Sequence, residues 1–84
     1  MSELLKTEII SPAGVLLSGS FHMVVVPSIA GDLGVMQGHE AVIVAMREGE
    51  VSVYDEKQNV IKSFPVKSGF AEVQESGKLL VLVD

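Results

Sequence analysis

The sequence predicts an all-β fold: a small two-sheet β-sandwich or flattened barrel of short, mostly antiparallel strands, with no substantial helix. Three observations carry this expectation. Turn-forming clusters recur along the whole chain, about 8–12 residues apart. The runs between them are rich in Val, Ile, Leu and Phe, and β-branched side chains pack well on a pleated surface. Several of those runs alternate polar and apolar residues, the period of a strand rather than a helix. At 84 residues the length suits one domain, spanning 1–84, and no repeat, linker or low-complexity tract divides it.

The elements follow in order. The first apolar run ends at Ser11-Pro12-Ala13-Gly14, a turn, and a second turn signal stands at Ser18-Gly19. In Phe21-His22-Met23-Val24-Val25, Phe21, Met23 and Val25 fall on one face and His22 and Val24 on the other. Pro27 to Asp32 reads as a tight turn, with Gly31 and Gly34 supplying backbone angles other residues resist and Asp32 as a turn residue. After Gln37-Gly38-His39 comes Ala41-Val42-Ile43-Val44-Ala45-Met46, apolar throughout. Glu48-Gly49-Glu50 closes it. Val51-Ser52-Val53-Tyr54 alternates up to the loop Asp55 to Asn59, whose tip is Lys57, Gln58 and Asn59. Beyond Ser68-Gly69, Phe70-Ala71-Glu72-Val73-Gln74 alternates again, and Glu75-Ser76-Gly77 leads into Leu79-Leu80-Val81-Leu82-Val83, which does not. Runs of five or six residues are too short for a stable buried helix. Strands apolar on both faces need cover on both, from a loop, barrel closure or another protein.

Composition narrows the function. Eleven acidic residues against six basic ones give a formal charge of -5. Phosphate binding calls for clustered cations, whereas Arg47, Lys57, Lys62, Lys67 and Lys78 are dispersed, so nucleic acid is not expected as a ligand. No apolar run reaches the roughly 18 residues of a membrane-spanning helix. The start, Met1 to Lys6, has neither the apolar core of a signal peptide nor the composition of a transit peptide. Cysteine is absent, which removes disulfides and thiolate metal sites.

No catalytic residue is assigned. Ser28 to Gly34 lacks the Gly-Lys-Ser/Thr ending of a phosphate loop. No serine sits in a nucleophile motif. The acidic pairs Asp55-Glu56 and Glu48/Glu50 flank turns and read as solvated faces. His22 and His39, with Asp32 or Glu40, make a conceivable metal set, but neither histidine has the close spacing of a zinc site. Met23, Met36 and Met46 read as core fillers. No cofactor or metal is therefore expected. The residues alone describe a partner-binding β-sandwich, with a His22/His39 metal-binding or enzymatic barrel and a self-associating β module as alternatives.

One ordered set of segments carries a resemblance. It runs from Glu8-Ile9-Ile10-Ser11-Pro12-Ala13-Gly14-Val15-Leu16-Leu17-Ser18-Gly19 through Met23-Val24-Val25-Val26-Pro27 to Gly31-Asp32-Leu33-Gly34-Val35-Met36-Gln37-Gly38-His39. Arg47-Glu48-Gly49, Ser68-Gly69-Phe70-Ala71-Glu72-Val73 and Val81-Leu82-Val83-Asp84 complete it. In order and spacing this resembles the N-terminal β-sandwich of the epsilon subunit of bacterial F-type ATP synthase (the delta subunit in mitochondria). Gln37 and Glu48 stand where the family usually or often has Pro. Ser68 stands where it has a second Gly, which leaves two readings: a serine held in a glycine-like conformation, or a turn of different shape.

The resemblance implies a non-catalytic subunit of the central stalk, coupling proton flow to ATP synthesis. Such a subunit lies peripherally at the cytoplasmic face of the bacterial inner membrane. The implied partners are the gamma subunit and the polar loops of the c ring. Asp32, with Gly31 and Leu33, falls at the ring-facing loop. His39, with Ser11, Val42 and Val44, falls on the gamma side. The family's C-terminal helical hairpin has no counterpart before Asp84, so hairpin-type inhibition and nucleotide binding are not expected of this chain.

Overall fold

A computed structural model describes residues 4–84. They form nine strands and no helix: β1 (Leu5–Ser11), β2 (Gly14–Phe21), β3 (Met23–Ser28), β4 (Gly31–Met36), β5 (Val42–Met46), β6 (Gly49–Tyr54), β7 (Val60–Val66), β8 (Gly69–Val73) and β9 (Leu79–Val83). The sheet order is β2-β1-β9-β8-β5-β3-β6-β7, with β4 on the free side of β3. Every pairing is antiparallel except β1 with β9, where Thr7 stands opposite Leu79 and Ile10 opposite Leu82.

The sheet is continuous but narrow at one point. Between β5 and β3 the register contains the single pair Ser28 and Met46. Two flanking backbone bonds, Ile29 N to Ala45 O at 2.9 Å and Arg47 N to Pro27 O at 2.8 Å, complete the join. The sheet folds over at this hinge into two layers, β2-β1-β9-β8-β5 and β4-β3-β6-β7. Their inner faces supply one cluster: Leu5, Ile9, Ala71, Val73, Leu79, Val81 and Val83 from the first layer, and Val24, Val26, Val35, Val51, Val53 and Val66 from the second. Met46, at the hinge, belongs to the same cluster. Valine dominates because a branched side chain fills the space between close-spaced strands without rotamer loss.

The expected all-β sandwich is present, with departures in detail. Ser18 and Gly19 are not a turn. They lie inside β2, opposite Glu8 and Thr7, and the irregularity there is a bulge where Ile9 pairs with Leu17 and Ile10 with Val15. His22 is a bend separating β2 from β3, so the run 21–25 does not alternate as one strand. The turn between Pro27 and Asp32 is only Ile29-Ala30. Ser28 pairs with Gly31 and Pro27 with Asp32, so Asp32 is a strand residue. Gly31 has φ 124° but Gly34 is ordinary strand. Gln58 is the one non-glycine residue with positive φ among those described, so Ser68 needs no glycine-like conformation. The neighbouring Gly69 does: its φ is 144°, and a Cβ there would stand 2.0 Å from the carbonyl oxygen of Leu82.

Candidate functional site

The residues expected to meet partners divide between the two ends of the sandwich. The β3–β4 hairpin carries Gly31, Asp32 and Leu33 at one end. Ser28 Oγ accepts the backbone N–H of Ala30 at 3.0 Å, which ties the loop. Leu33 is half-buried and packs on the core. Asp32 is exposed, yet it is not a free carboxylate. Arg47 donates from Nη2 to its Oδ1 at 2.8 Å, and the Arg47 and Asp32 side chains are 46% and 67% exposed. Arg47 stands at the β5–β6 turn, which closes against the same hairpin because β3 and β5 meet there. Gly49 allows that closure: a Cβ at this position would lie 2.9 Å from the Pro27 ring. The largest apolar exposure at this end is Ile29, in the two-residue loop, 69% exposed. Sequence reading passed over it because the glycines and the acid beside it dominate the pattern.

His39 lies at the opposite end, after β4. Its N–H donates to Met36 O at 3.1 Å, and its Nδ1 lies 2.8 Å from Glu40 O, a contact made by donating Nδ1–H. The ring is held by its own loop. Ser11 is at the hairpin end, not beside His39. It closes its own turn, accepting from Ala13 N and donating to Gly14 O. Val42 and Val44 are half-buried and pack against the core. His39 and Val42 are thus near in sequence at one end, and Ser11 is separated from them by the length of the sheet. Among the described residues no three of His, Cys, Asp and Glu cluster closely enough to hold a metal ion, so the His22/His39 alternative finds no ligand set. At the β6–β7 loop, the N–H groups of Asn59 and Lys57 each donate to Asp55 Oδ1 at 2.9 Å. These bonds, Asn59 foremost, hold the carboxyl below its usual pKa of 3.8.

The most distinctive surface is the outer face of the first layer. Val42 and Val44 point inward, so Ile43 between them points out and is 67% exposed. Across the ladder Ile43 stands opposite Glu72, and Ala45 opposite Phe70. Phe70 in turn faces Leu82, and Glu72 faces Leu80. Leu82 and Leu80 stand beside Ile10 and Glu8 of β1. Phe70 is 56% and Leu82 45% exposed. Two rows therefore cross this face: Ala45, Phe70, Leu82 and Ile10, then Ile43, Glu72, Leu80 and Glu8. The two runs that fail to alternate in the sequence, 41–46 and 79–83, occupy β5 and β9, with only β8 between them. Their surplus apolar residues collect on this one surface. Phe70 and Leu82 were passed over in the sequence because each sits in a plain strand; their exposure becomes visible only with the register.

The described residues define a class by fold: a small all-β sandwich with a concentrated apolar outer face, the kind of surface that marks an interaction site. The comparisons give the family. The family described as ATP synthase, Delta/Epsilon chain, beta-sandwich domain matches residues 4–84, and this chain belongs to it. The ATP synthase epsilon chain of Parvibaculum lavamentivorans is 40% identical over 84 residues, covering 100% of this chain and 62% of the relative. That of Paramagnetospirillum magneticum is 38% identical over the same length, again 62% of the relative. The chain thus spans less than two thirds of the curated relatives it matches. A chain in the cryo-EM structure of Euglena gracilis mitochondrial ATP synthase (OSCP/F1/c-ring) superposes with a TM-score of 0.86 at 18% identity, over 99% of this chain and 52% of that one. A chain of the Tetrahymena thermophila mitochondrial ATP synthase central stalk and c-ring gives 0.77 at 14% identity, over 94% of this chain and 62% of that one. At these identities the likeness is one of fold.

Proposed function

We propose that this chain is a non-catalytic rotor module of a proton-translocating F-type ATP synthase, acting as one domain over 1–84. It docks on the gamma subunit through one sheet face and meets the c-ring loops with its β3–β4 hairpin, helping to couple proton flow to ATP synthesis. Its place is peripheral, at the cytoplasmic face of the bacterial inner membrane. The observation that carries the reading is the outer face bearing Ile43, Phe70 and Leu82, three large apolar side chains on the neighbouring strands β5, β8 and β9 and open to solvent. Adjacent, exposed apolar side chains on a folded domain mark an interaction surface. On β5, Ile43 presents to the partner while Val42 and Val44 support it from the core. His39 fixes the loop leading into β5, and Ser11 fixes the turn beside Ile10, so both act at the borders of the same face. Asp32, Gly31, Leu33 and the exposed Ile29 form the ring-facing tip, where a basic ring residue would compete with Arg47 for the Asp32 carboxylate.

The test is binding to the purified gamma subunit of the same organism by calorimetry. The wild-type chain is expected to bind stoichiometrically. Phe70→Ser and Ile43→Ser are each expected to weaken binding by more than about 1 kcal/mol, the threshold for an interface anchor. Absence of binding to folded gamma would overturn the proposal. A concentration-dependent dimer in sedimentation, lost in Phe70→Ser, would assign the same face to self-association instead.

A further inference from the structure

The apolar face holds one charge that has no ion-pair partner among the described residues. Glu72 is half-buried and flanked across the ladder by Ile43 and Leu80, with Phe70 two positions before it on the same face. The other carboxylate in its row, Glu8, is neutralised: Lys78 Nζ stands 3.0 Å from its Oε1. Among the described residues the only ion pairs are Arg47–Asp32 and Lys78–Glu8. Glu72 has no side-chain hydrogen bond there either. Lys6, the other cation on this side, lies two strands away, on β1. While the face is open, water solvates the Glu72 carboxylate. Once a partner covers Ile43, Phe70 and Leu82, that water is displaced, and an unpaired carboxylate beneath apolar cover is strongly unfavourable.

We propose that Glu72 is the specificity-determining residue of this face, and that the surface docking there brings a Lys or Arg side chain to its carboxylate. This rests on the docking reading above and adds the chemistry of the partner. The apolar side chains supply non-directional attraction, and many surfaces could satisfy them. A central carboxylate rejects any surface without a cation at that point, which fixes partner and register together. Its position amid the three apolar residues excludes water better than a rim position would.

Four versions of the chain would be titrated into purified gamma by calorimetry at low and high salt: wild type, Ile43→Ser, Glu72→Gln and Glu72→Lys. A thermal melt of each would verify folding. Glu72→Gln is expected to weaken binding about thirtyfold or more, the effect of truncating one member of a covered charge pair. Glu72→Lys should abolish binding, and changing one Lys or Arg of gamma to Glu should restore it. If wild type binds and Ile43→Ser weakens it while Glu72→Gln binds as tightly as wild type at both salt concentrations, the Glu72 proposal is overturned and the docking face stands. If folded wild type does not bind gamma at all, the docking reading fails, and this proposal with it.

Discussion

Replacing Gly69 by Ala should cost this domain a large part of its stability. The added Cβ would stand 2.0 Å from the Leu82 carbonyl oxygen, 3.1 Å from its carbon and 3.0 Å from Met46 Cε. The methionine terminus can swing aside. The carbonyl cannot, because it belongs to the β8–β9 ladder, where Gly69 pairs with Val83 and Phe70 with Leu82. Restoring an ordinary contact requires the end of that ladder to open, which puts at risk the nearby bond from Asp84 N to Ser68 O at 3.2 Å. The backbone also sits at φ 144°, a region an L side chain resists. That strain is about 1–3 kcal/mol, and each lost hydrogen bond adds about 1 kcal/mol. The total, about 2–5 kcal/mol, compares with a stability of about 4–13 kcal/mol expected for a domain of this size. Thermal melting by circular dichroism should register a fall of at least about 8 °C, taking about 4–8 °C per kcal/mol. Ser68→Gly, one residue earlier, is the control. Ser68 is not in the left-handed region, so that substitution removes only the exposed hydroxyl's bond to the Asp84 carboxylate and should change stability by less than about 1 kcal/mol. A Gly69→Ala melt within about 4 °C of wild type would refute the reasoning.

Three further outcomes follow from the same structure. Arg47→Ala should lower stability by less than about 1 kcal/mol, because the Asp32 pair is largely solvent-exposed; a larger loss in urea melts, undiminished by salt, would contradict this. Leu79→Ala, at a fully buried position, should destabilise by about 2–5 kcal/mol with an unchanged denaturant slope; a cost below about 1 kcal/mol would mean the core collapses around the gap. Asp55 has a folded pKa below its usual 3.8, so its contribution is fully present above that value and is lost as pH falls through the lower folded value. Asp55→Ala should therefore melt below wild type at neutral pH and converge with it in strong acid, and parallel pH profiles would rule the loop carboxylate out.

How far the fold could be read from the chain depended on the range of each signal. The runs 41–46 and 79–83 announced strands needing cover on both sides, and they are β5 and β9. Local chemistry misled where a strand was built from turn residues. Gly31-Asp32-Leu33-Gly34 contains what a turn contains, yet pairing with β3 makes it β4. Ser18-Gly19 lies in an edge strand, whose free side demands little of its side chains. The site was legible in part. Asp32 and His39 stand out by residue type, but the contact of Asp32 with Arg47 spans 15 positions, and no local pattern couples them. Ile43, Phe70 and Leu82 form a surface only through the register of β5, β8 and β9. A hydrophobic residue in a strand carries no local mark of whether it faces core or solvent.

The parallel pairing of β1 with β9 also governs how the domain is made. Four strand pairings are hairpins between neighbours in sequence, β1 with β2, β3 with β4, β6 with β7 and β8 with β9, and these can close within microseconds of meeting. The strand that completes the first layer is the last one in sequence, inserted between β1 and β8. The Lys78–Glu8 bridge spanning that junction joins side chains 70 positions apart. Until residues 79–83 arrive, β1 and β8 each expose an unpaired edge, and the valine core is open along one side. Such non-local closure is slow, on the order of milliseconds to seconds. Until residues 79–83 can insert, this domain therefore exists as separate hairpins, and its cooperative folding waits on β9.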